Sequence, residues 1–135
     1  YIVKDGEGAS KFLKIKIKGA KSINDAKKIG KSIANSPLFK TAMSGSDSNW
    51  GRIIMAVGKS GAKLDPEKLT LKFGKFIILQ KGKKLNLTYI NLINKYLKQS
   101  EIEIIVDLGI GVYEWSTWTC DFTKEYVSIN TDYRS

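Results

Sequence analysis

Apolar and polar residues alternate along this chain with two periods. Residues 12–17 switch at every position, Leu13, Ile15 and Ile17 interleaving with Lys14 and Lys16, which is the period of a half-buried strand. From Ser22 the period lengthens, and Ile23, Ala26, Ile29, Ile33 and Ala34 fall on one helical stripe. The pattern Ser22-x-x-Asp25 is a short capping box for that helix, and Pro37 is predicted to stop it. A short strand is predicted over residues 41–44. The polar segment Gly45-Ser46-Asp47-Ser48-Asn49 then leads into a second helix through Val57, with Asn49 as the predicted N-cap and Gly58 or Gly61 as the stop.

Asp65-Pro66 marks a turn. Residues 69–79 have β-type content broken at Gly74, and with Lys81-Gly82-Lys83 they predict one or two strands of a hairpin. Thr88 is predicted to cap a third helix whose Leu92, Ile93, Tyr96 and Leu97 face the core. Residues 101–108 give the clearest strand, Ile102, Ile104, Val106 and Leu108 alternating with Glu101, Glu103 and Asp107; Ile105 departs from the rule and implies cover on both faces. Gly109 and Gly111 turn the chain into residues 112–119, where Trp115 and Trp118 add apolar mass, and a short helix is expected over Tyr126, Val127 and Ile129. Strands and helices in alternation predict an α/β or α+β layered domain.

Composition narrows the chemistry. With 42% hydrophobic residues the 135-residue chain has the content of a globular domain, and its apolar runs, such as residues 76–79, are strand-sized, so no membrane partner is expected. The net charge of +10 raises the possibility of a polyanion partner. Only two of the 23 basic residues, Arg52 and Arg134, carry the bidentate guanidinium favoured for reading phosphates and bases, so no nucleic-acid partner is expected and a basic binding module stands as the alternative. The absence of His excludes Ser-His and Cys-His catalysis and His-rich metal sites within the chain; no metal and no cofactor are expected. Cys120, the single cysteine, lies in the apolar and aromatic run 115–122 and is expected to be buried and inert.

Three segments are more polar or Gly-rich than a connecting loop requires. In Asp5-Gly6-Glu7-Gly8-Ala9-Ser10 two glycines flank a carboxylate; on composition this is an acidic solvent turn, and alternatively Glu7 is placed for close approach by an ammonium. In Gly45 through Arg52, the amides of a helix start together with Arg52 suit an anion, while Asp47 and Asn49 equally suit plain capping with Trp50 in the core. Asn130-Thr131-Asp132-Tyr133-Arg134-Ser135 has the composition of a frayed terminus.

Taken together these segments resemble the glutamate N-acetyltransferase (ornithine acetyltransferase) family. Its β chain carries an Asp-Gly-Glu-Gly-Ala turn, an Asp-x-Asn-Trp-Gly-Arg loop, a Trp-Thr-Cys-Asp segment and an ending of the type Tyr-Val-x-Ile-Asn-x-Asp-Tyr-Arg-Ser/Thr. These stand here, in the same order, at residues 5–9, 47–52, 118–121 and 126–135. The resemblance implies an α-β-β-α sandwich with a mixed sheet, and residues 1–135 as a single domain, the C-terminal part of the β chain of a larger αβ enzyme. It also implies acetyl transfer from N2-acetylornithine to glutamate in arginine biosynthesis, through a β-chain N-terminal Thr that self-cleavage exposes; some members also use acetyl-CoA.

Tyr1 is not that Thr, so this polypeptide alone is expected to be inactive and to hold no catalytic residue. The motifs carry over Glu7 as the carboxylate for the substrate ammonium, and Asn130 and Ser135 as the tail contacts. The implied partners are the α chain and the remainder of the β chain in an αβ hetero-oligomer, together with the amino-acid substrates; the implied location is cytoplasmic. Ser10, Ser46, Ser48, Thr131 and Ser135 replace residues commoner in the family, and Ser135 keeps the hydroxyl. A related self-processing amidohydrolase or aminopeptidase, passing the acyl group to water, is the alternative within the fold.

Overall fold

The structure, a computed structural model, describes residues 11–85 and 88–121. Strand β1 (Phe12–Ala20) realises the first alternation: Leu13, Ile15 and Ile17 are fully buried, while Phe12, Lys14 and Lys16 take the other face. Helix α1 (Ile23–Ala34) starts where Ser22 Oγ accepts a hydrogen bond from the Asp25 amide at 3.0 Å, and it buries Ala26, Ile29, Gly30, Ile33 and Ala34. Gly30 permits its close approach to the sheet, since a Cβ there would sit 2.7 Å from two ring carbons of Trp115.

Pro37 does not simply end α1, and residues 41–44 are not a strand. Both belong to helix α2 (Pro37–Ser44), which has proline in its first turn, where the missing N–H costs nothing, and Ser36 Oγ accepting from the Phe39 amide at 3.2 Å. Phe39, Ala42 and Met43, at i, i+3 and i+4, are its buried face. Helix α3 (Gly51–Lys59) buries Ile53, Ala56 and Val57; its N-cap position is Trp50 rather than Asn49, although Asn49 Oδ1 still accepts from the Gly51 amide at 3.2 Å. Gly58 lies inside this helix, and Gly61, at φ +81°, follows it.

Strands β2 (Thr70–Phe73) and β3 (Phe76–Gln80) form the expected hairpin, and the short β4 (Lys83–Lys84) returns through Lys81 and Gly82, both left-handed at φ +47° and +78° as a two-residue hairpin loop requires. Helix α4 (Ile90–Leu97) has Tyr89 at its N-cap with no side-chain cap, so Thr88 does not fill that role. Ile93 and Leu97 reach the core as expected, but Leu92 is 55% exposed, one position off the buried stripe. Tyr96 packs edge-on against Phe76, and its hydroxyl accepts from the Glu103 amide at 2.9 Å.

Strands β5 (Glu101–Asp107) and β6 (Tyr113–Cys120) complete a six-stranded mixed sheet in the order β4-β3-β2-β5-β1-β6. β5 runs parallel to β1 and the remaining neighbours are antiparallel. The described residues thus form a mixed α/β layer, with the inward faces of the helices joining Leu13, Ile15, Ile17, Ile102, Ile104 and Val106 in one core. On the opposite face, Lys14 lies 3.7 Å from Glu103 and over the ring of Trp118, which is 56% exposed. Cys120 pairs with Phe12 on this open face and is partly exposed, not buried as its apolar neighbours in sequence implied. The expected helix over Tyr126, Val127 and Ile129 lies outside the described residues.

Candidate functional site

The pairing of β1 with β6 sets the geometry from which the site is built. Its last partners are Phe12 and Cys120, and one step further the chain forms a two-membered clamp. The Lys11 amide donates to Asp121 Oδ1 at 2.6 Å, and the Asp121 amide donates back to the Lys11 carbonyl at 3.2 Å. Glu7, Asn130 and Ser135, the residues singled out for substrate contact, lie outside the described residues. The points where their segments join the fold, Lys11 and Asp121, are hydrogen-bonded to each other.

The Lys11 side chain turns inward. Its Nζ donates to the Met43 carbonyl at 2.7 Å, the Leu97 carbonyl at 2.7 Å and Ser46 Oγ at 2.6 Å, which occupies all three ammonium protons. Met43 and Leu97 lie at the C-terminal ends of α2 and α4, where terminal carbonyls and the helix dipole favour a cation, and the Met43 carbonyl also accepts from the Ser46 amide at 3.1 Å. Ser46, held left-handed at φ 54°, also donates to the Leu97 carbonyl at 3.2 Å. The first residues of the polar loop are thereby tied to α4 and to β1.

Asp121 is 1% exposed, and burial pushes its carboxyl above the ordinary aspartate range, against hydrogen bonds from the Lys11 amide, the Lys11 charge and the Ser44 side chain. Burial likewise lowers the Lys11 ammonium despite the nearby Asp121 charge. Both partners are therefore shifted toward their neutral forms: for this pair the cost of leaving water exceeds the attraction between them. Neither is a free reagent. Every Lys11 proton is committed, and Asp121 is held by a backbone amide.

The second half of the polar loop resolves toward capping. Asp47 Oδ1 accepts from the Asn49 amide at 3.1 Å, Asn49 Oδ1 from the Gly51 amide, and Arg52 Nη1 donates to the Leu38 carbonyl at 2.9 Å. The amide and the guanidinium that an anion would use are thus engaged locally. A separate cleft of about 260 Å³ on the open sheet face is lined by Phe12, Lys14, Tyr96, Glu101, Glu103 and Trp118, and Lys14 itself lies against the acid and the indole there. Among the described residues no cluster of His, Cys, Asp and Glu has the makings of a metal site, and no helix is long and apolar enough to cross a membrane.

Lys11, Ser44 and the clamp role of Asp121 were not legible in the sequence. Asp121 belonged to a quoted motif, and Ser46 lay in the polar segment 45–49 and departed from the family pattern, with nothing to link either to Lys11. The one available signal was that two strand ends, one at each end of the chain, each carry a charged residue at the first position past the strand.

The fold places the chain among mixed α/β proteins with a mixed sheet covered by helices. The ArgJ family model matches residues 1–135. The chain is 49% identical over 134 residues to the arginine biosynthesis bifunctional protein ArgJ of Brucella suis, and 48% identical to that of Zymomonas mobilis, in each case across 99% of its own length. It spans about a third of the length of these curated relatives, 32% and 33% respectively. The crystal structure of the arginine biosynthesis bifunctional protein ArgJ from Bacillus halodurans superposes with a TM-score of 0.86 at 35% identity, over 94% of this chain and 60% of that one. The chain belongs to the ArgJ family.

Proposed function

We propose that this chain is the amino-acid-gripping part of a glutamate N-acetyltransferase in arginine biosynthesis, working with an α chain and the remainder of a β chain in an αβ assembly in the cytoplasm. The observation that carries this reading is family membership along the whole chain, at close to half identity with bifunctional ArgJ proteins. The four sequence motifs lie within that match.

In this reading an N-terminal Thr, supplied by a preceding segment, attacks the acetamide carbonyl of N2-acetylornithine. The C–N bond breaks, ornithine leaves with its amine protonated, and the acetyl group remains as an ester on the Thr oxygen. The amine of glutamate then attacks that ester, the C–O bond breaks, and the Thr hydroxyl is restored. Residues of this chain hold the substrate and do not react: Glu7 pairs with the ammonium, while Asn130 and Ser135 donate hydrogen bonds to its polar groups. The hydrogen-bonded roots of the two segments, Lys11 and Asp121, support such a two-ended grip, since Glu7 is four residues from Lys11 and thus within about 14 Å of it even when fully extended.

The test is an assay of the complete α and β chains with N2-acetylornithine and glutamate, following N-acetylglutamate and free acetate together. Acetyl transfer to glutamate, with the KM for both amino acids raised by Glu7→Ala, is the expected result. Release of acetate with no transfer would overturn it in favour of a self-processing amidohydrolase. A second arm supplies acetyl-CoA in place of N2-acetylornithine and reports whether that donor is also accepted.

A further inference from the structure

We propose that the outer edge of β6 is a pairing site for one more strand, supplied by precursor sequence outside this chain, so that the sheet continues past β6 in the complete enzyme. The inference rests on the reading that the chain works within a larger αβ enzyme, and is independent of the reaction that enzyme performs.

The two edges of the sheet are built differently. β4 closes one side with only Lys83 and Lys84, both exposed. Shortness and lysine are devices by which a sheet edge avoids further pairing. β6 closes the other side with eight residues, Tyr113–Cys120, and has neither device. It contains no proline, and its aromatic and β-branched residues, Tyr113, Trp115, Thr117, Trp118 and Thr119, suit a strand with neighbours on both sides. The single charge, Glu114, lies 3.6 Å from Lys16 of β1. The one irregularity in the β1–β6 pairing falls between Ile17 and Ala20, which leaves residues 115–120 in unbroken register.

Ladder geometry identifies the groups at that edge. The Asp121 amide points toward β1, donating to the Lys11 carbonyl, while on the far side of β1 the Phe12 amide donates to the Ser100 carbonyl. Backbone groups change sides at each residue of a strand, so Trp115, Thr117 and Thr119 direct theirs at β1, and Ser116, Trp118 and Cys120 direct theirs outward. Among the described residues no strand meets these outward groups. Trp118 is itself 56% exposed, aromatic area that a neighbouring strand would cover.

Chain length and charge choose the occupant. The chain spans 32% of the length of its Brucella suis relative, so a precursor of that kind carries ample further sequence. A segment of the same polypeptide is held near the edge at high effective concentration, whereas a separate molecule must give up translational freedom to reach it. A second copy would also bring a net charge of +10 against another +10, which repulsion opposes. The strand that fits is extended, presents N–H and C=O groups at every second residue, and is apolar on the side beside Trp115, which packs against α1 at Gly30.

The test is residue-resolved amide hydrogen exchange on the complete αβ enzyme, paired with photo-cross-linking from a benzoylphenylalanine in place of Trp118 or of Thr119, whose side chains stand on opposite faces of the sheet. A paired edge slows every amide from Trp115 to Cys120, Ser116 and Trp118 by roughly a hundredfold or more below their unstructured rates. A free edge gives alternation instead, with Trp115, Thr117 and Thr119 slow and Ser116, Trp118 and Cys120 fast, and that pattern would overturn the proposal.

Cross-linking then identifies the strand. Both positions are expected to capture one and the same segment of the precursor outside residues 1–135. Capture of such a segment from position 118 alone indicates a layer stacked on the open face, and overturns the edge pairing. Products confined to residues 1–135 of the same chain, or joining isotopically light and heavy copies of it, assign the edge to a different occupant and also overturn it. Neither readout uses acetyl transfer, so failure of this inference and failure of the proposed activity are told apart.

Discussion

Asp121 offers a sharp test of the physics at the clamp, because removing its charge and removing its acceptor should have unequal consequences. Asp121→Ala leaves the Lys11 amide and the Ser44 hydroxyl without their acceptor in a place that is 1% exposed. An unsatisfied buried donor costs about 1–3 kcal/mol, partly offset because the variant no longer buries a carboxylate, so a net loss near 2 kcal/mol at neutral pH is expected. Asp121→Asn keeps the Oδ1 acceptor and removes the charge, and should lie within about 1 kcal/mol of wild type or above it.

The pH dependence follows from the direction of the shift. Burial raises the folded-state pKa of Asp121 above the ordinary value of 3.8, so the folded protein holds this proton more tightly than the unfolded chain. Its favourable contribution is complete below the ordinary value and is lost as pH rises through the raised one. Lys11, the charged group opposite it, keeps its own charge throughout that acid window. Urea unfolding between pH 3 and pH 7 should therefore show wild type losing stability relative to Asp121→Asn as pH rises. A wild-type advantage that grows with pH, with Asp121→Asn costing about 2 kcal/mol or more at pH 7, would mean that attraction to Lys11 outweighs desolvation, and the reasoning would be refuted.

Other positions separate packing from surface effects. Gly30→Ala gains about 1 kcal/mol of helix propensity but drives a methyl to 2.7 Å from the Trp115 ring, so unfolding should report a net loss of about 1–2 kcal/mol, turning into a gain in a Trp115→Leu background. Lys81, left-handed at φ +47° in the β3–β4 loop, should be replaced by Asn with a gain of about 0.5–1 kcal/mol in the same assay. Lys14→Ala should change stability by less than about 0.5 kcal/mol, because the 3.7 Å pair with Glu103 is more than a third exposed at both ends; a loss above 1 kcal/mol would assign it a structural role.

Periodicity reported which face of an element is buried and little about which elements meet. The alternations of β1 and β5 were readable because each has one face in the core, as was the stripe of α1. Helix α2 was misread at one residue: Pro37 terminates a helix from inside but opens one at its first turn, and Ser36 ahead of it with Phe39, Ala42 and Met43 behind it was the signature that decided between these. That β1 lies between β5 and β6, strands drawn from the far end of the chain, is not encoded in any local pattern, since alternation is indifferent to the neighbour.

The candidate site depends on just that neighbour relation. By residue type alone, Lys11 was one more cation before a strand and the last residues read as a frayed terminus; only motif order gave Glu7, Asn130 and Ser135 a role. The β1–β6 register supplies what composition lacked, because it brings Lys11 and Asp121, 110 residues apart, into a single hydrogen-bonded pair. No local pattern can report such a pair, because it exists only once two sequence-distant strands are neighbours; the three Lys11 contacts then fix that side chain against the ends of α2 and α4.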